Sequence, residues 1–549
     1  MRTADKARCA VLLLVGAAAV GCAPSSVYDG LSGGTRPGGK DSSPSLTSEI
    51  AADAALAPPR PISPLSVSII PSSRPVLTWQ NIAGATGATL EIARSRTFEG
   101  AKTFVLEGEK SEVPEELEPG MWFWRLRSRA PGRTGTEPSA TWQMYVRGKG
   151  KLGSSPAPIG SVLDWDGDGD ADLVLAGDEP VQGSMMPTLY SFRGGGVLTP
   201  YEPFERSSFD EGPLGGLVSI TGGTDLDGDG FADYAFAGLA TLGEPGKPAP
   251  EGAPRRFAIG IEFGADADSE ERRSSGITPL ENVSVPTTVS AAGDFDGDGY
   301  GDLLYAEPHN LVLARGSGKG PLNLFPIARL DAPTLLPVAA GIDVNGDGFT
   351  DVVHRLDTSE GKRNLSLVTG GRDLAFGGPT TLVPQIDATQ QIRALVSGDF
   401  DGDGLSDFAL GSQREGGLGS VCVYFGDKGG ALRPGNCFSG DRSDLDWGVA
   451  LGAVDLWGEG RDVLLVSAKD AAGMRIEAVT FDGNTVTSEP VAQGEGAAIT
   501  TLLPGHLGKP GRWAATTPEL DAVRIHEGEE RVQTLPAPPG ARAFGRALR

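Results

Sequence analysis

Asp294-Phe-Asp-Gly-Asp-Gly-Tyr-Gly-Asp302 decides how this chain folds, because it is one of five near-copies. The others are Asp164-Trp-Asp-Gly-Asp-Gly-Asp-Ala-Asp172, Asp225-Leu-Asp-Gly-Asp-Gly-Phe-Ala-Asp233, Asp343-Val-Asn-Gly-Asp-Gly-Phe-Thr-Asp351 and Asp399-Phe-Asp-Gly-Asp-Gly-Leu-Ser-Asp407. Their starts are 61, 69, 49 and 56 residues apart, so each copy marks one structural unit of a repeat array. A further 56 residues on, Asp455-Leu-Trp-Gly-Glu-Gly-Arg-Asp462 reads as a worn sixth copy, one residue short. Gly505-His-Leu-Gly-Lys-Pro-Gly-Arg-Trp513 keeps the loop length and Gly508 but no carboxylate, and makes a seventh.

The pattern inside each copy is that of an oxygen cage. In the first copy Asp164, Asp166, Asp168, Asp170 and Asp172 supply ligand positions; in the second Asp225, Asp227, Asp229, Phe231 and Asp233. The third offers Asp294, Asp296, Asp298, Tyr300 and Asp302, and the fourth Asp343, Asn345, Asp347, Phe349 and Asp351. The fifth offers Asp399, Asp401, Asp403, Leu405 and Asp407. Positions one, three, five and nine give side-chain oxygens. Position seven varies, as expected where only its carbonyl is used. Glycine at four and six lets the backbone turn where a Cβ would clash. Hard oxygen donors in a flexible shell suit Ca²⁺, and the absence of His and Cys from the five loops argues against zinc and copper. The loops hold twenty Asp among 45 residues, a charge density that calls for cations, and about five Ca²⁺ are expected.

An EF-hand starts the same way but requires an acidic ligand at position twelve, and here that position is Leu175, Phe236, Tyr305, His354 and Leu410. The flanks are β-branched and apolar, as in Leu173-Val-Leu-Ala176, so each loop is expected to join two strands of a hairpin. On these residues the chain resembles the FG-GAP repeat of integrin α-chains and its bacterial VCBS-type relatives. Trp447-Gly448-Val-Ala-Leu451 and Phe544-Gly545-Arg-Ala-Leu548 match the opening of that repeat; Leu175-Ala-Gly177 and Phe236-Ala-Gly238 match its close. The resemblance implies an all-β fold over residues 153–549: a seven-bladed β-propeller with Ca²⁺ in the first hairpin of each intact blade. Phe544 opens a motif that the chain does not finish, and its segment is expected to close the ring against blade one.

Residues 60–148 differ. Pro75–Trp79, Ala88–Ala93, Thr103–Leu106, Trp122–Arg127 and Thr141–Val146 read as short strands separated by Gly and Pro, the pattern of an all-β sandwich. The stretch resembles a fibronectin type III module, with Trp79 early and Pro119-Gly120 leading into an aromatic strand; its expected role is a spacer, with the Trp side chains in the core. Upstream, Arg2, Lys6 and Arg8 precede an eleven-residue apolar run, Ala10 to Val20, and then Gly21-Cys22. This is the order of a secretory signal, and Ala19-Val20-Gly21-Cys22 resembles the bacterial lipobox. Residues 1–21 are expected to be removed, Cys22 to carry the lipid, and 22–59 to form a disordered tether. The protein is then exported and lipid-anchored, at the outer membrane or cell surface. With Cys9 removed and Cys22 capped, Cys422 and Cys437 remain as a disulfide pair across the turn at Asp427-Lys-Gly-Gly430.

Gly makes up 80 of 549 residues, which argues against long helices, and a net charge of −25 argues against nucleic acid as a partner. The four His, at 309, 354, 506 and 526, share no motif and read as surface or loop residues; no nucleophile elbow or His-Glu-x-x-His occurs. The expected function is that of a calcium-stabilised surface binding or adhesion protein, not an enzyme. Its partner would be a protein or glycan on the propeller's loop face, and the membrane would be met through Cys22. The alternative is a surface polysaccharide lyase or hydrolase on a calcium-binding propeller.

Overall fold

Strand after strand in this chain is buried on both faces, and that calls for sheets stacked against one another. Asp302–Ala306, Leu451–Val454 and Arg512–Thr516 are buried at every residue, whereas the outer strand Thr485–Gln493 is mostly exposed. An unbroken apolar strand such as Leu303-Leu-Tyr-Ala306 needs a neighbouring sheet on each side. The computed structural model describes residues 56–147, 158–181, 184–200, 217–241, 255–266, 275–280, 288–307, 309–318, 322–330, 338–357, 363–381, 390–414, 419–430, 432–440, 446–483, 485–502, 511–517 and 519–548. The expected signal peptide, Cys22 and almost all of the tether lie outside these residues.

Among the described residues the repeats form seven four-stranded antiparallel sheets. Sheets two to seven open on Leu217–Thr224, Val289–Gly293, Val338–Ile342, Gln390–Gly398, Leu451–Val454 and Ile499–Leu502, and each continues with the next three strands in chain order. Hydrophobic clusters in the repeats are shared by successive sheets: Leu303 and Tyr305 of sheet three pack with Ala235 and Ile259 of sheet two. The series returns on itself, since Leu173 and Tyr190 of sheet one share a cluster with Val523 and Ile525 of sheet seven. This is an all-β arrangement consistent with a repeat propeller. Its one described helix is the short 3-10 turn Arg372–Leu374.

Sheet one departs from the expectation that every loop joins two strands of a hairpin. Leu173–Val181 pairs with Ser184–Arg193 on one side and with the C-terminal strand Arg542–Leu548 on the other, Leu175 facing Leu548 and Ala176 facing Ala547. The residues just before the loop, Gly160–Ser161, pair instead with Ser68–Ile70. Phe544 is buried against Tyr190, ring centroids 5.2 Å apart, so the opening motif at the C-terminus belongs to sheet one. The last strand thereby completes the first sheet as its fourth strand.

Residues 60–147 form a sandwich of two sheets. One contains Arg60–Ser63, Val76–Gln80 and Lys110–Glu112; the other runs from Ser68–Ile70 through Trp142–Val146, Gly120–Ala130 and Gly87–Ala93 to Lys102–Glu107. All five expected strands are present with slightly different ends. Trp79, Trp124 and Trp142 are core residues, Trp124 and Trp142 meeting edge to face at 5.6 Å. Residues 55–549 form one compact unit. Sandwich and ring share core: Val67 is fully buried in the cluster of Leu163, Trp165 and Tyr234.

Candidate metal centres

Each acidic loop is built on the same backbone bonds. The first Asp accepts, through Oδ2, the N–H of the glycine at position six at 2.8–3.2 Å, in all six loops from Asp164–Gly169 to Asp455–Gly460. The glycines at position four have φ of 70–74° and those at six 82–96°, a region that a side chain disfavours. Loop six keeps these angles, at Gly458 and Gly460. The turn therefore outlives the loss of the position-three carboxylate, because Asp455 still holds Gly460.

The Asp at position nine braces the loop. Its Oδ2 accepts the N–H of position two, as Asp172 does from Trp165 at 2.7 Å and Asp302 from Phe295 at 3.0 Å. Its Oδ1 accepts a glycine N–H from the end of the next strand, Gly194 to Asp172 at 2.7 Å and Gly426 to Asp407 at 2.8 Å. Asp233 and Asp351 do the same.

Carboxylate oxygens converge within 4.8 Å of one another in four loops: Asp164, Asp166 and Asp172; Asp225, Asp227 and Asp229; Asp294, Asp296 and Asp302; Asp399, Asp401 and Asp407. Loop four brings Asp343 and Asp347 beside Asn345, whose amide donates to Asp347 at 2.9 Å. The buried oxygens Asp164 Oδ1 and Asp399 Oδ1 have no hydrogen-bond partner. A buried acceptor left so is costly unless a cation takes it.

The protonation behaviour has the same cause. Burial, and then neighbouring carboxylates, push Asp164, Asp225, Asp302 and Asp407 well above the ordinary carboxylate range. Asp172 and Asp294 rise to about 8 and Asp399 to about 7, again chiefly through burial. Asp343 rises to about 6, through burial opposed by the backbone N–H groups of Gly348, Gly346 and Asn345. Protein cations reach the rims: Arg193 lies 2.8 Å from Asp166, Arg315 2.7 Å from Asp298, and Arg433 3.2 Å from Asp401. One guanidinium against four or five carboxyl groups leaves acid in excess in each of these three loops. Multidentate oxygen, excess negative charge and unsatisfied buried acceptors fit a divalent hard cation such as Ca²⁺.

Two readings of the loop need correction. Position seven is not idle. A Cβ placed on Gly167 would lie 2.5 Å from the Phe231 ring, on Gly228 2.8 Å from the Tyr300 ring, and on Gly297 2.3 Å from the Phe349 ring. The aromatic of each loop thus lies over the position-four glycine of the loop before it. Position eight is a second link: its N–H donates to the first-position carbonyl of the preceding loop, from Ala232–Asp164 to Gly511–Asp455, at 2.6–3.4 Å. This ladder realigns loop six. Asp462 donates to Asp399 and so stands at position eight, with Val463 at nine; the loop is full length and lacks the closing Asp. Gly511 is position seven when loop seven is counted from Gly505 but makes the position-eight bond to Asp455, which moves that count by one residue; residues 503–510 lie outside those described.

Two of the His depart from the surface reading. His354 is buried in its strand, and His526 is buried with Nε2 3.0 Å from Glu495 and its ring stacked on Trp513 at 4.1 Å. His309 is exposed in a turn, and His506 lies outside the described residues. Cys422 and Cys437 face each other on adjacent strands and are joined by a disulfide.

Comparison with known proteins agrees with this construction. The FG-GAP-like repeat matches residues 164–236 and 294–354, and the FG-GAP repeat matches 392–424. The chain carries FG-GAP and FG-GAP-like repeats. No curated protein matches it in sequence. Among solved structures it is similar to a putative 6-phosphogluconolactonase from Bacteroides uniformis, 12% identical over 69% of this chain and 99% of that one, with a TM-score of 0.40. A protein from Lactobacillus plantarum is 13% identical over 69% and 98%, with a TM-score of 0.40. A rhamnogalacturonan lyase from Bacillus licheniformis is 12% identical over 87% and 76%, with a TM-score of 0.25. Likeness at these scores assigns no activity to the chain.

Proposed function

We propose that this is an exported, lipid-anchored binding protein whose seven sheets are the blades of a β-propeller stabilised by about five Ca²⁺, preceded by a fibronectin type III-like sandwich. The observation that carries the reading is the use of each acidic carboxylate. Position one holds the turn, position nine braces it twice, and the remaining oxygens face one another across a gap suited to an ion. Such a centre is spent on structure and presents no free base to a substrate. Among the described residues His309, His354 and His526 lie in three different sheets or turns. The partner is a protein or a glycan, met outside the ion centres. Anchoring rests on the lipobox-like order before Cys22; among the described residues no helix is long and apolar enough to cross a membrane.

The test is a binding screen of residues 23–549 against glycans and proteins, with Ca²⁺ and in chelator, run beside assays for product release from acidic and neutral polysaccharides. Saturable binding without turnover supports the reading. Turnover that disappears on removal of one basic side chain, with melt and metal content unchanged, replaces it with a polysaccharide lyase or hydrolase. Mass spectrometry of the mature N-terminus should find an acylated Cys22.

A further inference from the structure

The sandwich stands on the acidic-loop face itself. Ser66 Oγ donates to the carbonyl of Gly230 at 2.9 Å. A Cβ on Gly230 would lie 2.0 Å from the carbonyl oxygen of Thr141, and one on Gly169 3.4 Å from Phe123. Arg96 lies over the Phe231 ring at 3.7 Å and Arg60 over the Tyr300 ring at 5.1 Å. Each of these rings is held between a sandwich guanidinium and the glycine of the preceding loop.

A buried ion pair joins sandwich and ring at loop six. Arg147 follows the last sandwich strand, its N–H donating to Ile70 at 2.8 Å. Its side chain is 9% exposed and ion-pairs through Nη2 with Asp462 Oδ1, itself 5% exposed. Asp462 Oδ2 accepts the N–H of Asp399 at 2.8 Å, so the pair sits on the seam between loops five and six. Arg147 Nη1 is buried on the same seam without a hydrogen-bond partner. Loop six has Trp457 at position three and Val463 at nine, and so cannot build the cage of its neighbours. It nevertheless keeps Asp455, half-buried, and Asp462, buried, and a buried carboxylate is costly unless a positive charge is paired with it.

We infer that the acidic-loop face is an intramolecular docking surface for the sandwich, and that the guanidinium of Arg147 is the cation of the sixth loop in place of a metal ion. The sandwich is then a fixed cap rather than a spacer. Loops one, two, three and six are covered by it, and a macromolecular partner meets the ring elsewhere. Calcium in loops one to three and docking of the sandwich support each other, because both require the same loop conformation.

The experiment uses the full chain carrying Arg147→Met, Asp462→Asn or both. Hydrogen exchange is followed at residues 60–70 and 226–232, together with thermal melts and bound Ca²⁺. Each single variant should exchange faster at both interface segments, with residues 303–314 unchanged, and melt several degrees lower. The double variant should melt no lower than Arg147→Met, since the partner left uncompensated is removed with it. Bound Ca²⁺ should not rise in any variant. Unchanged interface exchange, additive melting shifts, or a gained equivalent of Ca²⁺ in Arg147→Met would each overturn the inference. Should Arg147→Met fail to fold, Asp462→Asn decides alone, because Asn keeps an acceptor for the Asp399 N–H and removes only the charge.

Discussion

The backbone N–H of Asp462 donates to the carbonyl of Asp399 at 2.7 Å, and the side chain of Asp462 accepts the N–H of Asp399 at 2.8 Å in return. This reciprocal pair ties a loop whose third and ninth positions are apolar to one in which both are Asp. The same position-eight bond joins each described loop to the one before it, so the acidic loops form a belt rather than independent sites. Damage to one loop is expected to be felt by its neighbours.

Chelation should lower the melting temperature, and Ca²⁺ should restore it. Asp296→Ala removes one of three converging carboxylates in loop three and should lose about one equivalent of bound metal, measured by elemental analysis after dialysis. An unchanged melt in chelator would reject the metal centres.

Gly230 and Gly318 have nearly the same φ, 96° and 98°, but only Gly230 faces another domain. Gly318→Ala should cost about 1–2 kcal/mol from backbone strain alone. Gly230→Ala should cost about 2 kcal/mol more, because its Cβ would collide with Thr141. Denaturant midpoints in excess Ca²⁺ compare the two; equal costs would mean that the sandwich yields at no expense.

Phe544→Ala should destabilise the protein by about 3–5 kcal/mol, since the ring is fully buried where the last strand closes sheet one. Val532→Ala, on a residue 41% exposed, should change stability by less than about 0.5 kcal/mol. Chemical denaturation of both variants checks the contrast.

Cys422 and Cys437 are 15 residues apart, and in the chain-entropy model their bond is worth about 3 kcal/mol. Replacing both by Ser should lower stability by that order and leave the Ca²⁺ content unchanged. Free-thiol labelling of the unfolded, unreduced chain should find neither Cys reactive.

The sequence by itself determined the repeating unit, because Asp and Gly at fixed spacing answer to local demands: a tight turn needs glycine, and a cation cage needs oxygens a few residues apart. It also placed the sandwich strands, through alternation and turn residues, and Trp79, Trp124 and Trp142 in the core. Where several local features had to be matched across the chain, it misled. Loop six looked one residue short because Asp462 resembles a closing ligand; only its bond to Asp399 shows the position it occupies. Position seven looked free because its side chain answers to the preceding loop, 49 to 69 residues away, and not to its own. The closure of sheet one by Arg542–Leu548 and the seating of Arg147 on Asp462, 315 residues distant, were decided by tertiary structure alone. Local spacing carries no information about which buried charge a remote arginine will meet; that is fixed only when the ring closes and the sandwich comes to rest on it.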